Sequence, residues 1–410
     1  MTGVMQAVKG RLYGGAVNGP LAAVRRIGGQ TRAIWNHFLA QNVARYEAEQ
    51  KFVFYAEMSA ALPSLLKNDP RFAGCPHRAA QMTVQKLERA LRECGRGAAN
   101  RKGFPKFKRH SDRSDAFSFV GRECRFGEDR IRLPKIGWVR VRGLVLPEAA
   151  DAKVVTVTQE PNGWHVSVQF EATAKVYASP RLPTVGIDAG LAELAVLSDG
   201  SRIAAPRLAR KAEKHIRRLN RERDRRRKGS VNRRRTVARL ARMHRRVRNA
   251  RQNFLHQQSR KLVDRYSGFA IEDLALRGMA RTQLGKSVGD AAIGEFYRML
   301  RYKGGWGARE WRVYPRFSRS TGVCPVCGMV GRKLALAERR WGCEGCGSAH
   351  GRDVAAARVI LGGAVGRASP ELSAAMPKKR STAVCGGDRV SVRSSHCGSL
   401  PNVACTKAIS

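Results

Sequence analysis

Thr184-Val185-Gly186-Ile187-Asp188-Ala189-Gly190-Leu191-Ala192-Glu193-Leu194-Ala195-Val196-Leu197-Ser198-Asp199-Gly200 decides the fold class. Its first five residues are uncharged until the last, as in a strand buried on both faces, and the run ends in a carboxylate. The apolar run 194–197, closed by the turn residues Ser198-Asp199-Gly200, reads as its antiparallel neighbour. Upstream, period-two alternation in Phe117-Ser118-Phe119 and over 131–141, 154–159 and 164–170 predicts a small β barrel or sandwich, with Asn162-Gly163 as a hairpin turn. It reaches to about residue 180, where Pro180 and Pro183 mark a boundary. Before it lie a short strand over 6–13 and two helices. The first covers 25–50, where Ile27, Ile34, Phe38 and Val43 recur near the helical period. The second covers 77–94, with Ala80, Val84, Leu87 and Leu91 on one stripe and Arg78, Lys86, Arg89 and Arg92 off it. That basic face fits either water or phosphate. The whole is an α/β multidomain protein.

Downstream, residues 202–261 hold 24 basic residues against Glu213, Glu222 and Asp224, and Gly229-Ser230 divides them into two helices. Leu219, Val237, Leu240 and Val247 supply a thin apolar stripe, so a helical hairpin with its outer face on phosphate is expected. Arg226, Arg227, Lys228, Arg233, Arg234 and Arg235 are its candidate nucleic-acid contacts. A second candidate is Lys102-Gly103-Phe104-Pro105-Lys106-Phe107-Lys108, in which Lys102, Lys106 and Lys108 alternate with aromatics. This loop either stacks on bases beside neutralised phosphates or anchors its Phe residues in a core.

The chain has 410 residues, 78 Lys plus Arg against 32 Asp plus Glu, a formal net charge of +46 and a pI near 11.2. Such an excess points to a polyanion, above all nucleic acid, because an acidic small molecule needs only a few arginines. With 43% hydrophobic residues the chain has material for packed cores, which excludes a histone-tail-like polymer. No run approaches the roughly 18 apolar residues of a membrane span, and residues 1–10 lack a leader pattern. A soluble, cytoplasmic, nucleoid-associated protein with no membrane partner is expected. There the ten cysteines stay reduced and serve as metal ligands or buried small residues.

Cys324-Pro325-Val326-Cys327, fifteen residues, then Cys343-Glu344-Gly345-Cys346, is the strongest local signal. Two thiolate pairs of this spacing close a tetrahedral four-cysteine site that suits Zn2+, and with every position filled the zinc is structural. Three acids form a second set. Asp188 ends one strand, Glu272 ends another (Phe269-Ala270-Ile271-Glu272), and Asp353 opens an apolar-patterned helix. Hard Mg2+ ions take a few carboxylates plus substrate phosphate, and two such ions flank the attacking and leaving oxygens of a phosphodiester. Arg352 either holds phosphate, orients Asp353, or makes a surface ion pair. His350 is read as structural. The basic tail over 366–410 has no periodicity and reads as disordered.

Together these residues carry a resemblance. Gly186-Ile187-Asp188, Ile271-Glu272-Asp273-Leu274, the cysteine pairs and His350-Gly351-Arg352-Asp353-Val354-Ala355-Ala356 fall in the order seen in the TnpB (OrfB) family of insertion-sequence proteins, relatives of type V CRISPR effectors. Arg11-Leu12-Tyr13, the 102–108 loop, Asn253-Phe254-Leu255-His256 and Tyr302-Lys303 match as well, so the resemblance reaches to about residue 362. It implies a RuvC-like, RNase H-type nuclease domain at 183–316 and 350–365, with Asp188, Glu272 and Asp353 as catalytic metal ligands. It implies a wedge-like β-barrel domain at 1–14 and 100–182, a helical recognition domain at 15–99 and a zinc-binding target-nucleic-acid module at 317–349. Guide RNA and a double-stranded DNA target are its implied partners. The implied function is RNA-guided cleavage of DNA beside a short flanking motif, with Mg2+. The alternatives are a guide-dependent DNA-binding repressor that does not cut and a transposase acting directly in strand transfer. One departure stands out: Ala355 occupies the place of the family's Asn.

Overall fold

A computed structural model describes residues 3–14, 19–94, 103–112, 114–147, 150–173, 183–316, 318–335 and 337–366. Lys102 and residues 367–410 of the expected tail lie outside the described residues. The order begins with β1 (Gly3–Tyr13) and three helices, α1 (Pro20–Glu49), α2 (Tyr55–Asn68) and α3 (His77–Cys94). Six strands follow: β2 (Ala116–Val120), β3 (Arg125–Phe126), β4 (Arg130–Leu133), β5 (Gly137–Arg142), β6 (Asp151–Glu160) and β7 (Gly163–Thr173). These seven strands form one antiparallel sheet in the order β2-β6-β7-β1-β5-β4-β3. The first strand thus sits in the middle of a sheet whose other members come more than a hundred residues later, with the three helices between them in sequence.

Alternation explains the sheet's core. Phe117, Phe119, Val155, Val157, Val166 and Val168 point to one buried face, and Val24 and Ile27 of α1 close it. The α3 stripe packs as its period requires, Val84, Leu87 and Leu91 meeting Ile34 and Phe38 of α1 and Met58 and Leu62 of α2. Phe104 joins this core and Phe107 is exposed, so the 102–108 loop is anchored at one of its aromatics. Two expectations change. The 131–141 run breaks into β4 and β5, because Lys135 takes a left-handed φ of 62° and turns the chain. The hairpin turn falls on Pro161 and Asn162, since Gly163 already pairs with Glu160.

The second half holds β8 (Val185–Asp188), β9 (Glu193–Leu197), β10 (Arg202–Ala204), α4 (Leu208–Arg225), α5 (Val231–Arg265), β11 (Gly268–Glu272), α6 (Leu276–Met279), α7 (Gly285–Ala291), α8 (Ile293–Trp306), β12 (Glu310–Tyr314), β13 (Arg340–Gly342), β14 (Ala349–Gly351), α9 (Arg352–Gly363) and β15 (Val365–Gly366). The sheet order is β10-β9-β8-β11-β12-β15, with β8, β11 and β12 mutually parallel. Val185, Ile187, Phe269 and Ile271 pack on Leu262 of α5 and on Phe296 and Leu300 of α8. The opposite parity, Ala270 together with Tyr314, packs on Ile360 of α9. Ser230 caps α5, its Oγ accepting from the Arg233 N–H at 3.1 Å. Arg245 of α5 donates to Glu160 and lies 3.1 Å from His165, docking the long helix on the β6–β7 hairpin.

Gly186 decides how close α9 comes. A Cβ there would lie 2.0 Å from the Ala357 carbonyl oxygen and 2.9 Å from Leu361 Cβ. Backbone cannot yield as a flexible side chain does, so Gly186→Ala must lift α9 off β8, an overpacking of about 1–3 kcal/mol or more. A lowered Tm is the expected result. An unchanged Tm would show that α9 is not clamped to the strand.

Candidate functional site

Parallel pairing brings the first two acids together. Ala270 stands beside Gly186 and Ile271 beside Ile187, so the next rung sets Glu272 next to Asp188 at the carboxyl ends of adjacent strands. Both share the parity of Gly186 and Ala270, the face covered by α9. Asp353, in the first turn of α9, comes down over the same ends because Gly186 lets the helix approach. The three charges feel one another. Burial, then Glu272 and Asp353, push Asp188 up to about 7, against a smaller opposing effect of Arg352. Burial also raises Glu272. Asp353 Oδ2 lies 3.5 Å from Arg339 Nη1 and 3.9 Å from Arg202 Nη1, two partners that no sequence signal announced.

The donor chemistry of this set suits a divalent cation of the Mg2+ kind, although among the described residues only the four cysteines bring all their ligand atoms within 4.8 Å of one another. Its donors are hard carboxylate oxygens, and the mutual repulsion that raises Asp188 is what a bound cation relieves. Stability follows with a definite sign. Asp188 is protonated more readily folded than unfolded, so its contribution is complete below about pH 4 and is lost as pH rises through about 7. The span corresponds to about 4 kcal/mol at most. Without added divalent cation, Tm should fall from pH 5 to pH 8 more steeply in the native protein than in Asp188→Asn. Equal slopes would remove Asp188 as the cause.

The four cysteines close tightly. Their Sγ atoms all lie within 4.8 Å of one another, with Cys324–Cys346 at 3.6 Å and Cys327–Cys343 at 3.5 Å. A tetrahedron with Zn–S near 2.3 Å has edges of about 3.8 Å, so these thiols fit Zn2+. Each knuckle turns on a left-handed glycine, Gly328 at φ 76° and Gly347 at φ 71°. Those turns return Gly328 N–H to the Cys324 carbonyl at 2.9 Å and Gly347 N–H to the Cys343 carbonyl at 2.8 Å. Burial opposes ionisation of Cys324, yet the Cys327 N–H, the Ser348 hydroxyl and His350 bring its thiol down to about 5. His350 lies 3.2 Å from that sulfur and 2.7 Å from Ser348 Oγ, outside the four-sulfur set. The strand pair β13–β14 then runs straight into α9, and the Arg352 N–H donates to the Arg339 carbonyl at 2.9 Å. The cysteine module and the third acid are therefore one covalent and hydrogen-bonded unit.

A family model described as "Probable transposase" matches residues 165–283, and one described as "Cas12f1-like, TNB domain" matches residues 294–360. A "Putative RNA-guided DNA endonuclease" of Streptomyces pristinaespiralis is 32% identical over 373 residues, covering 88% of this chain and 90% of the relative. The chain belongs to the TnpB (OrfB) family. Another relative, "Putative RNA-guided DNA endonuclease InsQ" of Escherichia coli (strain K12), is 30% identical over 82% of this chain and 87% of its own. The cryo-EM structure of a Cas12f1–sgRNA–target DNA complex matches with a TM-score of 0.48 and 14% identity over 82% of each chain.

Within this TnpB-family chain the basic candidates separate. Arg227, Lys228, Arg234 and Arg235 are exposed around the α4–α5 turn. Arg226 instead pairs with Glu222 at 2.7 Å and donates to the Asn232 carbonyl and Thr236, while Arg233 donates to the carbonyls of Arg223 and Arg226. Those two guanidiniums knit the turn. Of the apolar stripe, Leu219 and Leu240 are buried but Val237 is exposed. Lys106 is exposed, and its carbonyl accepts from Trp35 Nε1. Lys108 Nζ sits 3.7 Å from the centre of the Trp35 ring, and burial brings it down to about 8. Arg352 Nη1 donates to the Ala335 carbonyl at 3.0 Å, tying α9 to the cysteine module. Ala355 is buried in the helix face. Among the described residues no helix is long and apolar enough to cross a membrane.

Proposed function

We propose that the protein is an RNA-guided DNA endonuclease associated with a transposable element, cutting guide-matched DNA beside a short flanking motif by Mg2+-dependent phosphodiester hydrolysis. One observation carries this reading: acids from β8, β11 and α9 converge at one end of the sheet, and Asp188 is held near 7 by burial and by the other two. The names of the two relatives, both RNA-guided DNA endonucleases, support it.

In this reading the six-stranded mixed sheet with α9 is the RuvC-like, RNase H-type nuclease domain, and the four-cysteine module seats the target strand. The seven-stranded sheet is the wedge-like domain, and α1, α2 and α3 form the recognition domain. A pair of Mg2+ ions, when bound, neutralises charge on the attacking and leaving oxygens. Asp188 and Glu272 hold that site from the strand ends, and Asp353 closes it from α9. Arg227, Lys228, Arg234 and Arg235 neutralise phosphates of the guide RNA or its duplex, so affinity falls steeply with salt.

The test is a cleavage assay on the complex purified with its own RNA. Sequencing that RNA should return one discrete species, and DNA matching it should be cut in Mg2+. A repressor would bind matched DNA and leave it intact. A direct transposase would join element ends without RNA.

A further inference from the structure

The acid site has a neighbour on its other side. Tyr297 belongs to α8, whose Ile293, Phe296 and Leu300 pack into the sheet's core, and its ring lies against the same core with its centroid 6.2 Å from that of Phe296. The ring is held, so its hydroxyl has a fixed place. That hydroxyl is shut off from solvent and has no hydrogen-bond partner among the described residues. A buried hydroxyl left so costs about 1–3 kcal/mol, and native proteins supply a partner in the large majority of cases.

The surroundings say what the partner is. Burial, then the charges of Asp188 and Glu272, hold the phenol well above its ordinary range, so it stays protonated and can donate. Both carboxylates are near enough to act on it, yet neither accepts from it directly. A single water between them would take one hydrogen bond from the phenol and give one to each carboxylate, which makes up the roughly three that buried waters form.

We propose that Tyr297 is a positioning residue of the acid site, its hydroxyl donating to a water held between Asp188 and Glu272 and so fixing the orientation of that water and of the two carboxylates. This rests on the reading of those acids as a divalent-cation site. No proton leaves the phenol. Its part is to donate to one of the water's two lone pairs and so restrain the water from turning. Neither composition nor helical period singles out Tyr297. Its place becomes visible only where α8 meets the ends of β8 and β11.

The test compares Tyr297→Phe with the native protein, both as purified with their RNA. Calorimetric titration with Mg2+ alone gives the binding midpoint, and Asp188→Ala supplies the baseline that identifies the heat of this site. The Phe variant keeps the ring and should fold with unchanged cysteine-module metal content. Its Mg2+ midpoint should rise about tenfold or more, the usual consequence of losing an outer partner of a metal ligand. Cleavage should fall by a similar factor at low Mg2+ and recover in part at high Mg2+. An unchanged midpoint overturns the proposal. Phe296→Leu loosens α8 without touching the hydroxyl, so a midpoint that moves equally in that variant makes Tyr297 a packing residue and likewise overturns it. Mg2+ binding without cleavage of guide-matched DNA would defeat the endonuclease reading while leaving this one to stand on its midpoint.

Discussion

Asp188→Ala protein is expected to lose guide-directed DNA cleavage by about 10³-fold or more, the rate equivalent of several kcal/mol of charge stabilisation at a metal site. It should keep its bound RNA, because the exposed arginines and lysines around the α4–α5 turn lie on other elements. Its fold should not suffer either. Asp188 is half-buried and repelled by two neighbouring acids, so removing it relieves burial and repulsion together. At pH 8 without added divalent cation, the variant should therefore melt no lower than the native protein. Inactivity combined with a higher or equal Tm is the signature of a functional acid held at the expense of stability. Persistent cutting in Mg2+ would refute the assignment of the acids. A variant that unfolds or drops its RNA would mean that Asp188 is structural.

Loss of the four-cysteine centre should be the more damaging change. Structural zinc contributes on the order of 10–16 kcal/mol of apparent free energy to small modules, more than the two-stranded β13–β14 pair can supply by itself. Cys343→Ser should give protein with no zinc by elemental analysis, protease-sensitive between β12 and α9. Cleavage should vanish along with the metal. Asp353 stands seven residues past Cys346, and its helix is tied to the module through Arg352 to Arg339 and Ala335. Helices α1 to α3 have their own core and should keep their ellipticity. Chelation of the native protein should reproduce the defect, and added Zn2+, though not added Mg2+, should reverse it. A metal-free native protein that still cuts DNA would show that the knuckles stand on their turns alone.

Much of the fold is legible wherever the signal is local. The 77–94 stripe gives a helix with those same bounds, because its apolar period and the breaks beside it involve only neighbours in sequence. The division of the basic segment at Gly229-Ser230 is equally local, a left-handed glycine followed by a capping hydroxyl. The failures share a cause. Helix α2 carries Pro63 and buries only Met58 and Leu62, too thin a stripe to read, and it is held by the core it makes with α1 and α3. The break at Lys135 lies inside an alternation that resumes directly after a three-residue turn at 134–136, so the period alone does not reveal it. Arg226 and Arg233 look identical in composition to Arg227 and Arg234, and only the geometry of the α4–α5 turn separates the guanidiniums bound to backbone carbonyls from the exposed ones.

By itself the sequence determined the four thiols that could close a tetrahedron, the two strands and one helix that end or begin in an acid, and a charge that demands a polyanion. Each of these follows from short-range rules: chelate spacing, side-chain period and Coulomb's law. The tertiary structure alone decided that β8 and β11, 80 residues apart, pair in parallel and in a register that sets Asp188 beside Glu272. It alone decided that α9 comes within backbone contact of Gly186, that Arg202 and Arg339 face Asp353, and that the Tyr297 hydroxyl of α8 is buried without a partner among the described residues. Convergence of this kind depends on which long-range pairings bury the most apolar surface without leaving polar groups stranded. That is a property of the whole chain, and no window of residues contains it.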